Sequence, residues 1–596
     1  MRLTRRNLLG SSVALAATAA TARTLIGEPA PVLAACQVLP PASPASVALN
    51  RLAYGMRASD LAAFNALGAT PDERYERWID QQLNPATIDD SECEQLIAAV
   101  RLKIRYGTVN QARPLELLGA SATELWTRAN GGMNMNMDWN ERVRPFNEVR
   151  VATWIRAVHS RRQLFEVLVD FWHNHFNVKA TADGSIAATW PAYDRLIRTH
   201  ALGNFRTFVE EVGKSVAMML YLDNVSNRAA GGEGGNENYA RELFELHTLG
   251  SDNYLKFYDN RGLIDTINYG SETFPRGYID DDVYEAARCF TGWTIANGRD
   301  GRPNTGEFYF LADWHDTNPK TVLAVRPAPG IPPAPNIPRN QPGLTDGQQV
   351  FDLLCNHPGT ARHICTKLAR RLIADDPPQR VIDAAVEVWM ANRRSPDQIR
   401  QVVRTIVLSP ECRTTFGRKM RRPLDAMWAF LRATNARLPS DVESVDGDAT
   451  RGGYWSSLFY TADQSGHQLF DWDTPTGHPD TASYWANTNS LLARWNSFYS
   501  MTQSWGGNVS IDVIGQTNLN ASCREIVDEW SRRLCGFELT PRVRAELINF
   551  LAFGGDPNAP PRPTPRAPDW GAMEGVHDRV RTMVQLLAMS PEFNLR

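Results

Sequence analysis

Residues 236–250 read NENYARELFELHTLG, a stretch that gathers three glutamates, an arginine and a histidine. Two carboxyls held close together suit general acid–base chemistry, because repulsion raises the pKa of one while the other stays ionised. On a helix at about 100° per residue, Glu237, Asn238, Arg241, Glu242 and Glu245 fall within one arc of roughly 140°. Tyr239, Leu243, Leu246 and Gly250 fill the adjoining arc as a packing stripe. His247 points to the far side and cannot join Glu242 and Glu245 on one metal ion from this helix alone. Glu242 or Glu245 is then the acid or base. Arg241 keeps another carboxylate ionised or binds an anionic group, and Asn238 contacts substrate. The spacing of Glu237, Arg241 and Glu245 equally fits ordinary i, i+4 surface ion pairs.

A second stretch, FEVLVDFWHNHFNV, carries a different polar face. Phe165, Leu168, Val169, Trp172 and Phe176 form an apolar stripe, while Asp170, His173, Asn174 and Asn177 share one arc. A solvated face is usually Lys, Glu and Arg; Asp, His and two Asn suit a partly buried network or a ligand-facing wall. On a continuous helix His175 projects elsewhere, so His173 is the candidate for proton transfer and Asn174 for substrate binding. Each histidine also fits a satisfied core position. The loop WHDTNPK adds His315 and Asp316, adjacent side chains that orient each other or hold a ligand, or that simply cap a turn. A loop from Gly466 to about Asn487 offers Asp471, Asp473, His478 and Trp485 as further lining.

The elements that must position these residues are mainly helical. Capped apolar periodicity predicts two helices across NEVRVATWIRAVHSRRQLFEVLVDFWHNHFNV, meeting near Ser160. Further helices are expected at 190–200, 204–220, 237–249, 281–291, 360–374, 378–391, 396–408 and 421–433. Strand signals are few, the best being 307–314, and the Pro-rich 324–343 reads as an extended surface loop. Residues 523–593 echo 361–412 in three segments, which predicts a duplicated three-helix unit. The fold class is therefore a large multi-helix body with that duplication and a few short strands. Its expected parts are a helical core over 36–435 with a cleft, and a loop-rich, helical part over 436–596.

Composition excludes some partners. A net charge of −3 over 596 residues gives no electrostatic case for nucleic acid. The 17 tryptophans fit sugar stacking but more often serve as core residues. The N-terminal 1–35 has the layout of a signal peptide, with Arg5 and Arg6 as the pair of the twin-arginine export route. Its apolar run is too short and too diluted for a permanent transmembrane span. Leu33-Ala34-Ala35-Cys36 looks like a lipoprotein box and would make Cys36 a lipid anchor, although polar residues separate it from the apolar run. The eight cysteines show no metal-ligand spacing; export would permit disulfides, and buried thiols are the alternative.

Several segments occur in an order that carries a resemblance: FWHNHF, NENYARELFELHTLG, DDVYEAARCFTGWT, HDTNPKTVL, HPGTARHICTKLARRL, LSPECRTTFGRKMRRPLDAMWAFLRA, LFDWDTPTGHPD and a terminal LLAMSPEF. Together they resemble the bacterial family known as domain of unknown function 1800, over nearly the whole chain after about Ala48. The resemblance implies an exported, helix-rich protein and supplies no reaction, cofactor or catalytic residue. The residues themselves point to a hydrolase or lyase acting on a glycan or other envelope polymer, or on a small ligand. Two alternatives are a metal protein in which His173, Glu242 and His315 or Asp316 converge, and a non-catalytic helical scaffold.

Overall fold

A computed structural model describes residues 43–129, 137–229, 235–256, 260–299, 301–436, 438, 442–444, 454–502, 511–564 and 574–596. The 1–35 segment expected to be a signal peptide and Cys36 lie outside the described residues. The described residues are mainly α-helical, with three antiparallel hairpins, to one of which Val442–Ser444 adds a parallel strand. It divides into two compact units that interleave along the sequence.

One unit comprises Glu76–Thr415 and Leu438–Ser490 and holds every candidate residue named above. Its helices Trp139–His159 and Gln163–His175 break around Ser160, as the periodicity predicts. Asp138 caps the first by accepting from the Asn140 N–H. The second buries Leu164, Val167, Leu168, Phe171, Trp172 and also both of its histidines. Gly184–His200 follows, capped by Asp183, and packs on both. Among the described residues nine tryptophans are fully buried, Trp154, Trp172, Trp190 and Trp389 among them, so the many tryptophans mostly fill core volume.

The expected strand near 307–314 is the second arm of a hairpin, Trp293–Asn297 with Asn304–Phe310. Two other hairpins have weaker sequence signals. Arg101–Tyr106 pairs with Val109–Pro114, burying Leu102 and Ile104 behind a charged outer face, and Gly107 turns at a φ of 50°. Thr266–Tyr269 pairs with Glu272–Pro275 around Gly270. The Pro-rich 324–343 forms neither helix nor strand and is held by isolated bridges such as Lys320 to Ile337.

Helices Pro358–Leu372, Gln379–Ala391 and Gln398–Leu408 pack on one another in this unit. They are followed by the short helix Pro410–Thr414, whose Ser409 cap accepts from the Cys412 N–H.

The other unit is built from the described parts of Met1–Tyr75, Phe416–Arg437 and Leu491–Arg596. Its Pro423–Ala433 helix is buried along its whole length. The charges that this burial would strand are paired: Asp425 lies 3.1 Å from Arg422 and 3.1 Å from Arg596. Helices Cys523–Leu534, Pro541–Ala552 and Glu574–Met589 also pack on one another, followed by Pro591–Asn594 with its Ser590 cap. All seven described cysteines are buried free thiols, and no helix of the described residues is long and apolar enough to cross a membrane.

Candidate functional site

The 236–250 stretch does not form the single α-helix that its periodicity predicts. Asn238–Glu242 is α-helical, and Leu243–His247 then widens into a π turn. The Thr248 hydroxyl donates to the Leu243 carbonyl at 2.6 Å and steadies the wider turn. The chain ends the turn at Gly250, whose φ of 86° suits glycine. Tyr239, Ala240, Leu243, Phe244 and His247 form the buried side. Glu242 and Glu245 are half-buried on the opposite side, so His247 is indeed turned away from them.

Neither Glu242 nor Glu245 has a hydrogen bond or ion pair among the described residues. Burial, then the neighbouring Glu245, pushes the Glu242 carboxyl up to about 7, against the pull of Arg241. Two phenols sense the same charges. Tyr221 is pushed up to about 12 by burial, by Glu242 and by Asp473. Tyr278 is raised by burial and then by Glu245. Arg241 is engaged elsewhere: it binds Glu237 at 2.7 Å and Asp280 at 3.1 Å, so the expected Arg241–Glu245 pair is absent. Asn238 is half-buried beside them, with no side-chain hydrogen bond among the described residues.

The Asp-His-Asn-Asn arc is a brace. Asp170 meets Arg371 at 3.0 Å. His173 is buried, with Nε2 3.0 Å from Asp194, and Asp194 binds Arg198, which also grips Glu166. Burial opposes the Asp194 charge, but Arg198 and the His173 hydrogen bond hold its carboxyl well below the usual range. Asn174 donates to the His478 carbonyl at 2.9 Å and accepts from the His478 N–H at 2.7 Å. The helix stops at His175, and Asn177, just beyond it, donates to the Trp472 and Thr474 carbonyls. This tight seam explains Gly477: a Cβ there would lie 2.1 Å from the Asn174 carbonyl oxygen.

The seam brings the 471–478 loop toward the carboxylates. The Tyr221 hydroxyl donates to the Asp473 carbonyl at 3.0 Å, and Lys179 binds the Asp473 side chain at 2.6 Å. Trp472 and Tyr484 stand with ring centroids 6.1 Å apart, and Tyr484 is exposed.

His315 and Asp316 belong to a separate, closed network. His315 is 2.8 Å from the Thr291 carbonyl through Nδ1 and 3.2 Å from Asp346 through Nε2. Buried Lys320 also binds Asp346 at 2.6 Å, and Asp316 pairs with Arg288. Convergence of His173, Glu242 and His315 or Asp316 on one ion has no counterpart, since no group of three His, Cys, Asp or Glu among the described residues is placed to hold a metal.

The structure also assembles residues that the one-helix-at-a-time reading set aside. His175 lies 6.1 Å from His247 and 6.4 Å from His363, ring centre to ring centre. The His175 Nε2 is 3.2 Å from the His247 carbonyl, so the end of the Gln163–His175 helix meets the π turn here. The available signal was that these three histidines recur in FWHNHF, FELHTLG and TARHICTK, the segments that carry the resemblance.

No curated protein and no solved structure matches this chain. One family does, described as "Protein of unknown function (DUF1800)", and the match runs from residue 47 to residue 595. Spanning nearly the whole sequence, that match makes the chain a member of the DUF1800 family.

Proposed function

We propose that this chain is an exported hydrolase or lyase that acts on a glycan or other cell-envelope polymer, with Glu242 as its general acid. The observation that carries the reading is the pair of carboxyls without partners among the described residues, with Glu242 held protonated up to about neutral pH. A structural glutamate at this depth would be expected to have an ion-pair partner or hydrogen-bond donors. In hydrolysis, Glu242 gives its proton to the leaving oxygen while Glu245, as carboxylate, accepts one from the attacking water. In elimination, Glu245 takes the proton from carbon and Glu242 protonates the departing oxygen. Neutral Tyr278 lies near Glu245 as a hydrogen-bond donor, Tyr221 holds the 471–478 loop through its own O–H, and Trp472 with Tyr484, set edge to face, supplies aromatic surface for a sugar ring. His173 and Asn174 act through the brace and the loop it holds, while Arg241 ties Glu237 to Asp280. Export through Arg5 and Arg6 puts the enzyme in the periplasm or outside the cell, and the mass of the exported protein decides whether Cys36 is lipidated.

The test uses peptidoglycan sacculi and capsular polysaccharide as substrates, reading new reducing ends for hydrolysis and unsaturated uronate absorbance for elimination. Cleavage that falls by about a hundredfold or more in Glu242→Gln, with the fold intact by circular dichroism, is the expected result. Equal cleavage by the variant, or none by the parent protein, contradicts the reading.

A scaffold role has one specific support. The helix triplets beginning at Pro358 and Cys523 agree in order, and each ends in a Ser-Pro-Glu cap, at Ser409 and Ser590. That agreement favours a duplicated unit, and duplicated helical units commonly serve as binding frames.

A further inference from the structure

Lys367 stands out first by its residue type. Only seven of the 63 basic residues in the chain are lysine, and the Pro358–Leu372 helix otherwise uses Arg362, Arg370 and Arg371. Arginine is the better residue for fixed ion pairs, whereas lysine alone of the two gives up its proton readily and becomes a nucleophile. Lys320, Lys179 and Lys214 each bind a carboxylate. Lys367 makes no hydrogen bond or ion pair among the described residues, and it is half-buried rather than sealed in the core.

Its surroundings are imidazoles. His363 lies one turn earlier on the same helix, His175 ends the Gln163–His175 helix, and His247 ends the π turn. Burial pushes all three below the ordinary range, His247 to about 3 and His363 to about 4, and the Lys367 charge lowers each further. The rings are therefore neutral near pH 7. A carbonyl can only accept, so the His175 nitrogen facing the His247 carbonyl must be Nε2–H, which leaves Nδ1 with its lone pair. That Nδ1 and the Nε2 of His247 are buried and without a hydrogen-bond partner among the described residues, each residue being 1% exposed.

We infer that Lys367, set among His175, His247 and His363, is a carbonyl-reactive amine that forms an imine with an aldehyde or ketone. In this step the neutral Nζ attacks the carbonyl carbon, the C=O pair moves to oxygen, and the nitrogen's proton passes to an imidazole lone pair such as that of His175. The imidazolium returns that proton to the oxygen to give the carbinolamine. The imidazole then relays the second N–H proton to the hydroxyl, which leaves as water with C=N formed, and hydrolysis reverses the sequence with no oxidant or reductant. Burial supplies the activation, holding the Lys367 amine down to about 8, with Arg370 acting in the same direction and Asp480 opposing. This site is independent of the Glu242 reading.

Labelling of the mature exported protein tests it. Glyceraldehyde with cyanoborohydride traps imines as stable amines, and peptide mapping covers every lysine. At pH 7.5 Lys367 should label about tenfold to a hundredfold faster than the other lysines, because far more of it is neutral. Its rate should be half-maximal near pH 8. Lys367→Arg should lose this adduct alone, and His175→Gln should slow it while the other lysines label as before. Labelling of Lys367 no faster than the rest, or a rate that rises only through the ordinary lysine range above pH 10, overturns the inference in the parent protein, whatever the variants do. Glu242→Gln should label normally, which separates this outcome from that of the carboxylate reading.

Discussion

At the scale of single residues, Glu242 is where burial and charge work together. Its carboxyl rises from 4.5 to about 7. Because the folded-state value lies above the unfolded one, the native protein holds the extra proton between those limits, so stability falls as pH rises through that window. Below pH 4.5 the group is protonated in both states and contributes no penalty. Glu242→Gln should therefore match its parent at pH 4 and exceed it at pH 8 by about 1 kcal/mol, discounted for the water that reaches a half-buried group. Urea unfolding at the two pH values measures the difference, and a gain equal at both would contradict it. The carboxylate arc was legible in the sequence because three glutamates and an arginine at helical spacing need only local geometry. The partners were not: Arg241 turns to Asp280, 39 positions away, and His173 to Asp194, choices made by tertiary packing.

At the scale of elements, the π turn and its terminal glycine matter most. Periodicity foretold a helix over 237–249, and a helix is present over most of that range, but the register changes at Leu243. No residue type announces a π turn, since Leu, Phe and Glu fit either winding. Gly250 is clearer. With φ 86° and ψ 154° it occupies backbone space essentially reserved for glycine, and a Cβ would lie 2.4 Å from Nδ1 of His363. Gly250→Ala should cost about 2–4 kcal/mol and displace His363, lowering the rate of Lys367 labelling more than that of any other lysine. Denaturant midpoints and the labelling map check both halves, and a variant with unchanged stability would contradict the strained turn. The Gln163–His175 helix teaches the converse: its period was read correctly, yet taking it alone set His175 aside. That histidine gains its company from two other helices.

At the scale of the whole molecule, helicity and most helix boundaries were legible because caps and apolar periods are local. The interleaved units were not, since the return of 416–437 and 491–596 to one unit depends on which surfaces bury each other. The cell supplies the next test. Changing Arg5 and Arg6 together to Lys should leave the precursor in the cytoplasm, as fractionation and immunoblotting would show, and undiminished export would contradict the twin-arginine reading. Everything proposed for the carboxylates, however, depends on one protonation state. Infrared difference titration of the purified protein, parent minus Glu242→Gln, isolates the Glu242 carboxyl without knowledge of the substrate. The account predicts that its protonated C=O band disappears with a midpoint near pH 7, and a midpoint in the ordinary glutamate range near 4.5 would contradict it.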